Sequence, residues 1–370
     1  MLYEIHMLKN YPPVNLNRDD TGSPKTCYFG GVQRGRISSQ CLKRSWRTSQ
    51  LYDELLGSTG IRTRKLDELL RRELETRGCE SDFIAAAAKK ATGLGNKDGT
   101  ESKDNSKMQA VFYSYADIKA VADKMIELYD ESGSVKDFAK RKASDIAAAF
   151  KDVKTRPVTL DIALFGRMVT SKAFRDVDAS MQVAHAISTH AVNQESDYFT
   201  AVDDLMGDSE DAGAAMIGDI DYNSCCFYHY AAIDTDILFQ NLENVPDRES
   251  LMSALLPAVI QIMAFSNPSG KQNTFAGHIL PSLICVEVKD RKIPVSYANA
   301  FATPVNSRSR TLVKDSCDRL TAEIDKLDAA YALSSERFWF CTEDCAVPKR
   351  ASVCGTLNDL CESCQAASGR

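Results

Sequence analysis

Between Asp176 and Asp247 the chain carries fifteen Asp and Glu residues and not one Lys or Arg. The 370 residues together are −6, so everything outside this segment sums to +9, and the fold must present two faces of opposite sign. Within the positive part, residues 21 to 52 hold Lys25, Arg34, Arg36, Lys43, Arg44 and Arg47 with no acid among them. A polyanion needs local positive potential whatever the net charge, which makes this segment the best polyanion candidate.

Composition excludes other classes. At 44% hydrophobic and 26% charged the chain is neither disordered nor fibrous. Its longest apolar stretch, Leu251 to Phe265, contains Pro257 and falls short of the roughly 20 residues of a bilayer span. With no leader pattern at the N-terminus, a soluble cytoplasmic protein with no membrane partner is expected. The twelve cysteines are then expected as thiols or metal ligands, and no disulfide is assigned.

The local patterns predict an α+β fold. Leu2, Tyr3, Ile5, Met7 and Leu8 around His6 read as a buried strand that turns at Pro12-Pro13 into Asn15 to Asp20. After a loop to Gly30-Gly31, Ser38 or Ser39 caps a helix whose Gln40, Lys43, Arg44 and Arg47 share one stripe, opposite Leu42 and Trp46. An all-positive stripe repels itself unless a polyanion or acidic partner offsets it, and a glycine-containing loop before a helix N-terminus suits a phosphate chain. Residues 51 to 155 read as a helical insert, with a polar loop from Gly93 to Lys107 and a second basic group at Lys136, Lys140, Arg141 and Lys142. Val158 to Phe165 alternates like a strand, and Asn193 to Asn223 reads as a long acidic arm exposing Tyr198-Phe199. Cys225 to Ile233 and Ser282 to Lys289 read as strands, with a helix between them that Asp247 caps and Pro257 kinks or splits. That order fits a ferredoxin-like core.

Several blocks together carry a resemblance. Asn17-Arg18-Asp19-Asp20, Phe29-Gly30-Gly31, Arg36 to Gln40 with Lys43-Arg44, Asp161 to Met168, Asp178 to His190, Asp197 to Leu205 and Gly270-Lys271-Gln272 occur in family order. The chain therefore resembles the backbone-subunit family of type I-E CRISPR Cascade, the CasC family of the RAMP superfamily. The resemblance covers residues 2 to about 301 and fades beyond Phe301.

The resemblance implies an RRM-like (ferredoxin-like) palm in segments 1–50, 156–192 and 224–370, the last including the C-terminal tail. It also implies helical fingers at 51–155 and a protruding thumb arm at 193–223. It implies a non-enzymatic subunit, without cofactor, that polymerises with further copies of itself in a helical filament along CRISPR guide RNA. Other Cascade subunits and target DNA paired to the guide are the remaining partners, and antiviral defence is the role. Arg18, Lys25, Ser38, Gln40, Lys43, Arg44, Arg47 and Lys271 match guide-contact positions. Met168 matches the place where a wedge sits beside displaced bases, Arg167 before it is expected among the RNA contacts, and Tyr198 and Phe199 match the thumb.

Two alternatives stay open. A RAMP-type endoribonuclease would need a tuned acid and base, and His6, His185, His190, His229 and His278 are scattered along the chain. Cys341, Cys345, Cys354, Cys361 and Cys364 include C-x3-C and C-x2-C pairs of the kind that bind structural zinc, although spacing alone does not show that they converge.

Overall fold

The structure, a computed structural model, describes residues 1–95, 100–101, 109–201, 216–333 and 335–368. Its contacts divide the chain into two compact units. The first comprises Met1–Tyr52, Gln182–Ile233 and Ser253–Arg370, and the second Asp53–Met181 and Asp234–Met252. The fold is α+β, as expected.

The first unit is organised by a mixed sheet. From one edge its strands run Ala351–Val353, Glu336–Cys341, Leu283–Lys289, Leu2–Asn10, Cys226–Asp234, Ala186–Ser188, Val32–Ile37 and Thr26–Phe29. Leu2–Asn10 lies at its centre and is buried on both faces up to Lys9, which is why its apolar run is almost continuous. It pairs antiparallel with Leu283–Lys289, Ile5 opposite Val286. One face packs Leu8, Tyr228, Leu283, Tyr297, Phe301, Leu320, Ile324 and Trp339 into a core. One buried charge cluster in this unit is mutually paired. Lys289 bridges Glu4 and Glu287, and Arg337 joins Glu287 to Asp328.

In the second unit, helices Leu66–Thr76, Ser81–Leu94 and Tyr115–Ser132 bury Leu70, Leu74, Phe83, Val121, Ala122 and Met125 at helical spacing. Ser114 and Asp117 form a capping box at the start of the third. The segment 156–181 falls within the second unit.

Two local expectations are corrected. Val158–Phe165 contains a helix, Leu160–Phe165, not a strand. Leu160 and Ile162 to Leu164 are all buried, so the residues give no period, and the buried Asp161 carboxylate settles the matter by taking the Gly60 N–H at 2.9 Å and the Thr159 hydroxyl at 2.6 Å. Gly30-Gly31 is not a loop feeding the basic helix. It is the two-residue turn of the hairpin Thr26–Phe29 to Val32–Ile37, with φ of +62° and +79°. A Cβ at Gly30 would stand 1.6 Å from the Ala302 carbonyl oxygen. Pro257 sits inside one helix, Arg248–Phe265, without splitting it. Asp247, at φ +54°, offers its backbone carbonyl to Leu251 N–H as that helix begins. By length and composition this helix could cross a membrane, yet Leu255, Leu256, Ile260, Ile262 and Met263 are buried in the fold. Of the polar loop Gly93–Lys107, Gly93 and Leu94 end a helix, while 96–99 and 102–107 lie outside the described residues.

Candidate nucleic-acid interface

The polar loop after the first strand is built by its own short side chains. Asp19 accepts from Thr21 N–H, the Thr21 hydroxyl and Ser23 N–H, which holds its carboxyl below the usual range, the Thr21 hydroxyl contributing most. This carboxylate is therefore a loop fastener. Asn15 is buried and donates to Gly22 O and Asp221 O, and Asn17 accepts Ser38 N–H at 2.8 Å. Ser38 is the N-cap of helix Ser39–Arg47, its Oγ accepting Cys41 N–H.

A groove of about 720 Å³ lies between this loop, the helix and the segment Phe265–His278. Arg18 and Arg44 line it with Ser45, Thr48, Ser49 and His278. Of the stripe Gln40, Lys43, Arg44 and Arg47, Arg44 alone lines the groove, because the helix turns Cys41, Arg44, Ser45 and Thr48 toward it. Gln40 is exposed, and Lys43 and Arg47 are half-buried. Burial lowers the Lys43 ammonium from its ordinary value. Lys25 is half-buried on the run into the hairpin, and among the described residues neither it nor Arg18, Arg44 or Lys271 makes an ion pair.

The far wall is held by close backbone approach. A Cβ on Gly270 would lie 2.3 Å from Leu16 O and 2.7 Å from Asn15 O, so only glycine lets the two loops meet. Lys271 follows in left-handed backbone at φ +50°, opening the short helix Gln272–Phe275. Tyr11 OH donates to Asn267 Oδ1 at 2.7 Å, and Lys9 Nζ to Ser266 O at 3.1 Å.

The arm is an antiparallel hairpin in its described part, Glu195–Ala201 against Met216–Tyr222. Residues 202–215, with Leu205, lie outside the described residues. Its base is fastened to the polar loop through Asp221, which accepts from Ser23 Oγ at 2.6 Å, Gln194 Nε2 at 2.6 Å and Ser196 Oγ at 2.5 Å. Tyr222 packs on Phe275 at 5.7 Å between ring centroids. Loop, groove and hairpin base are therefore one connected structure. Tyr198 is 65% exposed, while the Phe199 ring covers Gly218 across the hairpin.

Arg167 and Met168 belong to the second unit. Arg167 is buried, pairs with Asp117 at 2.5 Å and donates to the Phe112 and Arg175 carbonyls, so its guanidinium is spent internally. Met168 stands 76% exposed beside it. Arg34 is likewise withdrawn, donating to Phe29 O, Ser188 O and Phe301 O. In the second basic group, Lys140 pairs with Asp137 and Arg141 with Glu131. Asn17, Thr48 and His278 also line the groove, although none of them was among the expected contacts.

The histidines bear on acid–base chemistry. Burial drives His6 and His229 down to about 3, and His190 accepts Cys226 N–H inside the sheet. His185 lies against Arg36 at 3.0 Å.

The family model described as "CT1975-like protein" matches residues 3–363, past Phe301, where the resemblance read from the sequence fades. Among solved structures, a chain of a "CRISPR RNA-guided surveillance complex, pre-nicking" is 27% identical at TM-score 0.84, with 100% of both chains covered. A chain of a "CRISPR RNA-guided surveillance complex" is 24% identical at TM-score 0.74, covering 99% of this chain and 100% of that one, and speaks for the fold alone. No curated protein matches.

Proposed function

The chain belongs to the CT1975-like protein family, and on that footing we propose that it is a non-catalytic backbone subunit of a type I-E Cascade complex that holds CRISPR guide RNA. The observation that carries this reading is the end-to-end match, at TM-score 0.84 and 27% identity, to a chain of an RNA-guided surveillance complex. The chemistry of the groove agrees with it. Arg18 and Arg44 in its lining, with Lys271 next to the lining Gly270 and Lys25 bonded to Asn17 O through its N–H, offer cations without acidic partners among the described residues, and hydroxyls line the floor, which suits a backbone of any sequence. Guide bases would then stay free to pair with target DNA. Lys43, Arg47 and Gln40 add polar and basic groups elsewhere on the same helix.

The strand order Leu283–Lys289, Leu2–Asn10, Cys226–Asp234, Ala186–Ser188 supports an RRM-like palm, since it places fourth, first, third and second strands side by side. The helical unit serves as fingers and the 195–222 hairpin as thumb. Exposed Tyr198 and Met168 can cap unstacked bases without reading them, as apolar wedges do. The opposed charges of segment 176–247 and of the remainder support head-to-tail stacking of copies along the guide, a contact that does not close on itself. Such a filament would work in the cytoplasm with other Cascade subunits, away from membranes, in antiviral defence. The endoribonuclease alternative gains no support from His6, His190 or His229, which are buried.

The test is RNA retention. Co-expressed with a CRISPR array, the chain should purify with RNA of uniform length protected at regular intervals. Arg18→Glu with Arg44→Glu and Lys271→Glu should abolish it while circular dichroism stays native. Unchanged RNA content in the folded triple variant would overturn the assignment of the groove.

A further inference from the structure

The cysteine pairs of the tail do not converge with one another. Instead Cys341 and Cys345, on the turn that leaves strand Glu336–Cys341, meet Cys317 from the helix Leu312–Tyr331. All three sulfurs lie within 4.8 Å of one another, Cys341 being 3.9 Å from Cys317 and 3.3 Å from Cys345. We propose that these three thiolates bind a divalent zinc ion, with solvent in the fourth position.

The spacing is that of a metal site. A tetrahedral zinc with bonds of about 2.3 Å sets its sulfurs about 3.8 Å apart, and the observed separations bracket that value. The turn is held in place by contacts that need no ion. Ala346 N–H donates to Asp318 Oδ1 at 2.8 Å and Thr321 Oγ1 donates to Ala346 O at 2.9 Å, both partners lying on the helix that carries Cys317. Glu343 N–H points at Cys341 Sγ at 3.4 Å, the outer contact that steadies a metal-bound thiolate. Cys317 is buried while Cys341 and Cys345 are half-buried, which leaves an entry path from solvent. On binding, each thiol gives its proton to solvent, so that Zn²⁺ with three thiolates carries −1. The ion would tie the C-terminal turn to the long helix, a structural duty independent of any RNA.

The full chain, purified anaerobically with reductant and equilibrated with zinc, should retain about one ion after desalting, and cobalt in its place should give thiolate charge-transfer absorption. Cys341→Ser and Cys345→Ser should each lose the ion and the absorption. Cys361→Ser with Cys364→Ser should keep both. Because Cys317→Ser alters a buried position, Cys345→Ser is the decisive variant, with circular dichroism confirming its fold. No retained metal, or retention unaffected by Cys341→Ser and Cys345→Ser, would overturn the site.

Discussion

Asn17 accepts the backbone N–H of Ser38 at 2.8 Å, so the polar loop is hydrogen-bonded to the cap of the basic helix 21 residues later. Loop and helix reach the groove as a unit because of this contact. Asn17→Ala strips the acceptor and should cost about 1 kcal/mol of stability, while Asn17→Asp, which keeps an oxygen there, should cost less. Urea melts of the two variants read the difference, and equal midpoints would show that the bond does not hold the loop.

Gly270→Ala puts a carbon into the Leu16 carbonyl, which is backbone and cannot rotate away. A loss of about 1–3 kcal/mol is expected from the forced backbone shift, together with weaker RNA binding. Gly355→Ala, whose nearest neighbour is the Asp359 carboxylate at 3.4 Å, should be nearly neutral. Thermal melts in which both changes behave alike would remove the close approach from the explanation.

Arg44 and Arg167 should fail in opposite ways. Arg44→Ala removes an exposed groove cation, so RNA affinity should fall and its salt dependence become shallower by about 0.7 in slope, with stability unchanged. Arg167→Ala breaks a buried pair with Asp117 and should cost about 3–5 kcal/mol. Binding titrations at several salt concentrations, alongside denaturant melts, separate the two. A destabilised Arg44→Ala with normal salt slope would contradict the groove.

Acid should destabilise the first unit through two histidines. Burial holds His6 and His229 at about 3, against about 6.5 for a free imidazole. Between those values the unfolded chain binds more protons than the folded one. Stability therefore rises with pH through that window and is lost as the solution is acidified below about 6.5. His229→Phe should flatten the dependence by up to about 1.4 kcal/mol per pH unit below pH 6.5 and leave it unchanged above. Stability measured from pH 4 to 8 checks this, and an unaltered slope would place the acid sensitivity elsewhere.

Much of the candidate site was legible because its signals are local. The Ser38 cap, the apolar pair Leu42 and Trp46, and the basic residues between them are read within ten positions, and the helix forms where they predict. Met168 and Tyr198 were picked out and stand exposed. Arg167 looked the same as Arg44 in sequence, since nothing near it announces that Asp117, fifty positions earlier, is waiting to bury it.

The sequence by itself determined the central strand Leu2–Asn10, the capped basic helix, the helices Leu66–Thr76, Ser81–Leu94 and Tyr115–Ser132 and the separation of charge, all of which follow from spacing and composition along neighbouring residues. Tertiary structure decided the rest. It made a helix of Leu160–Phe165 through the Gly60 amide, turned Gly30-Gly31 into a hairpin against Ala302, and chose Cys317 rather than Cys361 or Cys364 as companion to Cys341 and Cys345. In each case the deciding group lies far away in the chain, and a buried polar or sulfur atom takes the partner that packing brings to it, which no local pattern encodes.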